Sequence, residues 1–435
     1  MVKQMMKDFR KHINLYIGLV ALALASSCAP EIESPNNTSK SEADFSKYIA
    51  IGNSLTAGYA DGGLYLEGQQ VAFPNLVAEK MKAQGGGTFK SPYFSEAQKN
   101  GSGYIQLKAL VNGAPVMESV TDALAYREAG KLTKYTEDIQ NFGVPGMRLD
   151  LAFYAPFGAL NMYFERLLSD TEVGTKTYFD FTTQRDHTFF SFWLGNNDVL
   201  GYAMNGAVDN GSGTTSLTPV TTFGYLLNNY ITALTAKGQK GVIATIPDVT
   251  RIPYFNTVTR AALLQAASAA ANTTISELYI ATKNGVRSAT DKDLFVLPFS
   301  SAGLLGKPNQ SMIPYGFHPL NPIEDKYVLD QSEVESVKAY IYQVNNLIHQ
   351  TASSKDLAVV DIYNFFNTVS AGYSYNGVNM SSKFITGNIF SLDGIHLTPM
   401  GNAIVANQMI DAINNKYNSN LDKVDATKYR AVKMP

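Results

Sequence analysis

Five short apolar runs punctuate this chain, and the segments between them carry longer, helix-like patterns. The runs lie at 47–51, at 138–142 in a weaker form, at 188–194 ("TFFSFWL"), at 241–246 ("GVIATI") and at 357–361 ("LAVVD"). Runs of this length with apolar residues at successive positions fit strands covered on both faces, and their alternation with helices is the pattern of an α/β fold with a parallel sheet. Helical patterns occupy 222–237, the alanine-rich 258–282, 332–352 and 398–416. Ser332 stands three residues before Glu335, which predicts a capping box at the start of the third. With 435 residues, 45% of them hydrophobic, the chain has ample material for a large core.

The first residues read differently from the rest. Lys3, Lys7, Arg10 and Lys11 precede the apolar stretch "INLYIGLVALALA", and Ser26, Ser27 and Cys28 follow. Basic, apolar and small-residue segments in that order are the layout of an export signal, and the apolar part is short for a membrane span. Small residues before a lone cysteine resemble the lipobox of bacterial lipoproteins, with Ala25 where leucine is more usual. The resemblance implies cleavage that leaves Cys28 as a lipidated first residue, so residues 1–28 are expected to be a signal peptide. It also implies a cell-envelope location, anchored by lipid to the outer membrane. Residues 29–45 are polar, hold two prolines and lack apolar periodicity, which suits a flexible tether. The domain proper is expected over 46–435.

Thirty-five basic and 37 acidic residues nearly cancel. Removing 1–28 takes away four basic residues and Asp8, leaving 31 basic and 36 acidic residues and a formal charge of −5. Without a dense basic run in the body of the chain, nucleic acid is not an expected partner. One cysteine permits no internal disulfide. Segments rich in Gly, Asn, Ser and Tyr, near 60–136, 201–221 and 284–330, are too long for plain connections and read as insertions around one face of the sheet.

Four short motifs follow the strands or precede the last helix: "GNSL" at 52–55, "GVPG" at 143–146, "LGNND" at 194–198 and "DGIH" at 393–396. Each alone is weak. Ser54 falls just past a strand end, on the edge where open parallel sheets bind ligands, yet a serine there also suits a helix N-cap. Together, and in this order, the motifs resemble those of the SGNH, or GDSL, family of serine esterases and lipases. The resemblance spans residues 46 to about 416, the insertions excepted, and includes "AFPNLVAEKM" at 72–81 after the nucleophile helix. It implies a three-layer α/β/α sandwich with a mostly parallel, flavodoxin-like sheet of about five strands. It implies Ser54 as nucleophile, His396 as base and Asp393 as the carboxylate orienting it. Ser54, Gly146 and Asn197 are implied as the oxyanion hole, with Gly143 close to Gly146 in the same motif. Asn53 departs from the aspartate in the family's name.

The residue chemistry agrees. A serine hydroxyl needs a base to take its proton, and histidine suits that role. Asp393 is near enough in sequence to accept from Nδ1–H of His396 and leave Nε2 for Ser54. Backbone N–H groups of Ser54 and Gly146 and the Asn197 amide are suitable donors to a developing oxyanion. Adjacent side chains at a strand end point in opposite directions, so Asn196 is expected to face away from Ser54. His187, His318 and His349 lack partners at metal-ligand spacing, His12 lies in the leader, and no HExxH or G-x-S-x-G is present. Asp248 and Asp361 also follow strands and are expected to cap the next turn. Aromatic residues of the first insertion, Tyr59, Tyr65, Phe73, Tyr93, Phe94 and Tyr104, are expected mostly to pack rather than to bind ligand. The expected activity is ester hydrolysis through an acyl-enzyme, without metal or organic cofactor, on an acylated carbohydrate or lipid. The alternative is a non-catalytic glycan- or lipid-binding surface lipoprotein on the same fold.

Overall fold

The computed structural model describes residues 41–111 and 113–435. The signal-peptide assignment, Cys28 and the tether up to residue 40 lie outside the described residues. Residues 41–45, expected in the tether, are instead packed on the domain. Ala43 and Phe45 are buried, the N–H of Glu42 donates to the carbonyl of Tyr417, and the Phe45 ring meets that of Phe189 edge-on. Two apolar side chains and hydrogen bonds to residues 417–419 dock it.

All five apolar runs become strands of one sheet. They are β1 (Tyr48–Gly52), β2 (Asn141–Gly143), β3 (Phe189–Trp193), β4 (Lys240–Ala244) and β5 (Ala358–Val360). The sheet order is β2-β1-β3-β4-β5 and every pairing is parallel, the flavodoxin-like arrangement. Eight helices matter for the site and its support. They are α1 (Ser54–Ala57), α2 (Phe73–Met81), α3 (Asn197–Met204), α4 (Val220–Leu234), α5 (Arg260–Ala271), α6 (Gln331–Ser354), α7 (Ile362–Ala371) and α8 (Pro399–Tyr417). α2 pairs with α8 and α4 with α6, giving helical layers on the two faces of the sheet. Every residue of β3, "FFSFW", is therefore buried.

β1 sits at the switch point of the topology, with β2 on one side and β3 on the other. Gly52 is in register with both Gly143 and Trp193, so three strands end level with one another. Two glycines permit α1 to pack there. A Cβ on Gly52 would lie 2.0 Å from the Thr56 hydroxyl, and one on Gly143 2.2 Å from the Ala57 nitrogen. The buried Tyr178 hydroxyl closes the same corner, accepting from the Gly52 N–H at 3.1 Å and donating to the Phe142 carbonyl at 2.6 Å.

Two local expectations fail. The helix expected over 258–282 is α5, which stops at Ala271 because Asn272 adopts a left-handed conformation (φ 49°), and Tyr279–Thr282 then forms a hairpin with Gly285–Ser288. The β-branched "TTI" at 273–275 lowers helix propensity beyond that stop. The capping box of α6 belongs to Asp330 and Glu333, not to Ser332 and Glu335. The Asp330 carboxylate accepts from the Glu333 N–H at 2.9 Å, and Glu333 accepts from the Asp330 N–H at 2.8 Å. Ser332 only donates its hydroxyl to Asp330. The segment 60–136 also holds α2, a helix of the central domain, beside two hairpins at 104–120 and 126–132.

Candidate active site

Ser54 opens α1 at the carboxyl edge of β1, and it does not cap that helix. Asn53 does: its Oδ1 accepts from the Leu55 N–H at 3.1 Å. An asparagine oxygen does this as well as an aspartate oxygen, so the departure at position 53 costs no cap. The Ser54 hydroxyl is thereby left for a partner from another element. That partner is His396, 342 residues away, whose Nε2 accepts from Ser54 Oγ at 2.8 Å.

Asp393 completes the line, accepting at Oδ2 from His396 Nδ1 at 2.8 Å. Its other contacts are all donors. Oδ1 accepts from the N–H groups of Ile395 and His396, each at 2.9 Å, and from the Ser391 hydroxyl at 3.1 Å, while the Gly62 N–H reaches Oδ2 at 3.0 Å. Burial alone pushes this carboxyl up. The charge and hydrogen bond of His396, with the backbone N–H groups of His396 and Ile395, outweigh it and hold Asp393 well below the usual carboxylate range. The side chains of Asp393 and His396 are only 12% and 13% exposed, so solvent screens their contact little.

Ser54, Asn197 and His396 line one cavity together with Asn53, Leu55, Asn196 and a mostly apolar wall. Asn197 begins α3 after β3. Its Nδ2 donates one hydrogen to the Met147 carbonyl at 2.9 Å, which ties the loop after β3 to the loop after β2 and leaves the second hydrogen uncommitted. Gly146 has φ 81° in that second loop, and its N–H has no hydrogen-bond partner among the described residues. Gly146 and Gly143 are both outside the cavity lining. Asn196 does not face away as expected. It lines the same cavity as Asn197, because its backbone is already helical (φ −60°, ψ −45°) and strand alternation has ended.

Several supporting residues carry no sequence motif. Asp61 follows α1; its N–H donates to Ser391 Oγ at 3.0 Å and its carboxylate accepts from the Leu392 N–H and the Tyr65 hydroxyl. Beneath Asn197, Asp198 is fully buried and accepts from the Leu149 N–H and the Thr218 hydroxyl. Arg148 fills the same interior, donating to both carboxylate oxygens of Asp150 and to the Ser216 carbonyl. Only the run "MRLD" at 147–150, with two opposite charges flanking a leucine, hinted at this pair. Asp248 and Asp361 cap their turns, as expected, and line no part of the cavity. Tyr65, Phe73 and Phe94 are buried in packing contacts, and Tyr93 is exposed.

Residues 302–409, which include Asp393 and His396, match the model of the GDSL-like lipase/acylhydrolase family. No curated protein matches the chain. Among solved structures, a lipase/acylhydrolase from Enterococcus faecalis is 12% identical with a TM-score of 0.34, covering 87% of this chain and 99% of its own. A catalytic mutant of Axe2, an acetylxylan esterase from Geobacillus stearothermophilus, is 11% identical with a TM-score of 0.35, covering 85% and 95%. At these scores the two likenesses add no weight. The family match covers about a quarter of the chain, and over 302–409 this chain is similar to the GDSL-like lipase/acylhydrolases.

Proposed function

We propose that the chain hydrolyses carboxylic esters through a Ser54–His396–Asp393 triad, on an acylated carbohydrate or lipid. The observation that carries this reading is the unbroken hydrogen-bonded line from Ser54 Oγ through the imidazole to Asp393. As Ser54 Oγ bonds to the ester carbonyl carbon, its proton passes to His396 Nε2, and Asp393 stabilises the imidazolium. The carbonyl oxygen becomes an oxyanion that the free Nδ2 hydrogen of Asn197 and the N–H groups of Ser54 and Gly146 are suited to meet. Collapse breaks the bond to the alcohol, which leaves with the proton from His396. Water then attacks the acyl-enzyme, gives its proton to His396, and releases the acid as Ser54 recovers its own.

The same proposal places the mature protein at the bacterial cell envelope, exported and held by lipid on Cys28, on the strength of the residue order in 1–28. The test of the chemistry is a serine-directed phosphonate, which should label Ser54 alone and abolish hydrolysis of an aryl ester. Labelling of another serine overturns the reading. For the anchor, Cys28→Ser should move the protein to the soluble fraction. Unchanged membrane association, with no lipid mass on the mature N-terminus, overturns that part.

A further inference from the structure

The cavity beside Ser54 is small and two-sided. Its volume is about 30 Å³, room for roughly two water-sized groups. One wall is apolar, built by Leu200, Val249, Ile252, Phe366, Phe390 and Ile395. The other includes Asn53 and Asn196, whose amides the ester chemistry above does not use. Asn196 is 5% exposed, and neither its Oδ1 nor its Nδ2 has a hydrogen-bond partner among the described residues. Asn53 is 1% exposed; its Oδ1 caps α1, while its Nδ2 has no partner.

Buried amide atoms are nearly always paired, and leaving them unpaired destabilises the fold. Their retention at a reaction cavity has an economical explanation if the partner arrives with the substrate. The unpaired set is one acceptor, Asn196 Oδ1, and two donor groups, Nδ2 of Asn196 and of Asn53. A hydroxyl offers one donor and two acceptor lone pairs, which is the complementary set. A ketone or ether oxygen leaves Asn196 Oδ1 unpaired, and an ammonium leaves both donor groups so.

We propose that Asn196, assisted by Asn53, recognises a free hydroxyl on the substrate close to the scissile ester. This rests on the reading of Ser54 as nucleophile, because Ser54 determines which ester enters the cavity. The preferred substrates are esters carrying a hydroxyl within a few atoms of the ester bond. An analogue lacking it strands the buried amides, so discrimination comes from what the wrong substrate leaves unpaired. The hydroxyl has two possible sources: the alcohol part, as in a partly acylated sugar or glycerol, and the acyl part, as in a hydroxy acid.

The test compares ethyl acetate, 2-hydroxyethyl acetate and ethyl hydroxyacetate with the full-length protein. Each kcat/KM is divided by the rate of hydroxide-catalysed hydrolysis of the same ester to remove intrinsic reactivity. One hydroxylated ester should exceed ethyl acetate by about tenfold or more, and which one does so identifies the source of the hydroxyl. Asn196→Ala should bring that ratio close to one. Asn53→Asp keeps an oxygen for the helix cap while deleting the donor, and should lower the ratio as well. A purely structural role lowers all three esters in proportion and leaves the ratio unmoved, which overturns the proposal. So does a wild-type ratio near one for both hydroxylated esters, a result independent of whether either variant folds. Undiminished hydrolysis of all three by Ser54→Ala instead overturns the nucleophile assignment on which the inference stands.

Discussion

Tyr59 packs its ring against the imidazole of His396, with centroids 4.7 Å apart and planes inclined at 52°. Its hydroxyl donates to the Gly62 carbonyl at 2.6 Å, and the Gly62 N–H in turn donates to Asp393 at 3.0 Å. One loop after α1 therefore bears on both residues of the His396–Asp393 pair. Tyr59→Ala should lower kcat by about tenfold with little change in KM, as expected for lost positioning. Tyr59→Phe keeps the ring and should restore most of the rate. Steady-state kinetics of the two variants check this, and equal loss in both would assign the effect to the hydroxyl instead.

Ser54→Ala should abolish ester hydrolysis while leaving thermal stability nearly unchanged. Among the described residues the Ser54 hydroxyl bonds only to His396, and the cap of α1 belongs to Asn53. A loss of at least about ten-thousandfold in kcat is expected for removal of a nucleophile acting as part of a triad. Kinetics on an aryl ester and a melting curve provide the check.

Asp393→Asn should lower kcat by about a thousandfold or more, and His396→Ala should cost at least as much, because in the proposed mechanism the carboxylate orients the ring while the ring moves the proton. The folded value of Asp393 lies below the unfolded one. Its stabilising contribution is thus complete above the unfolded carboxyl value of about 3.9 and is lost only as pH falls through the folded value. Asp393 therefore keeps its charge throughout the neutral range. If kcat/KM falls on acidification near neutrality, the Asn variant should keep that acid limb on a lower plateau. Disappearance of the limb in Asp393→Asn would show that Asp393 itself titrates there.

Asn197→Ala should reduce kcat by roughly a hundredfold to a thousandfold with little effect on KM, the signature of a donor used mainly in the transition state. The variant also loses the bond to Met147, so its stability should fall by about 1 kcal/mol. Denaturation alongside kinetics separates the two effects. A change confined to KM would remove Asn197 from the oxyanion role.

Arg148→Met should destabilise the fold by about 3–5 kcal/mol, because it leaves Asp150 and the buried Asp198 without the cation that offsets them. Burial and the neighbouring Asp150 already push Asp198 up, and Arg148 opposes that. Without Arg148 the Asp198 carboxyl binds a proton more readily. The penalty should be largest at neutral pH and shrink as pH falls through the raised value of Asp198. Urea denaturation of both proteins at two pH values reads this directly.

The apolar runs and the four motifs were legible because they are local. A strand covered on both faces has to be apolar along its length, and glycines are required where α1 meets the strand ends. What the sequence could not settle was competition among neighbours for the same bond. The sequence offered Ser54 as a cap for α1; in the structure Asn53 takes that role and frees Ser54 for His396. Asp330 took the cap of α6 from Ser332 because its carboxylate reaches the Glu333 N–H. Asn196 lines the cavity because helical backbone begins one residue before α3. The support given by Asp61, Ser391, Arg148 and Asp198 left little trace in the sequence, since those contacts join segments far apart in the chain. Residue type and periodicity determined the sheet and the chemistry available to it. Tertiary structure decided which side chains share a cavity, because hydrogen bonds and burial depend on distance in space, and that is set only when the strands and their loops are packed together.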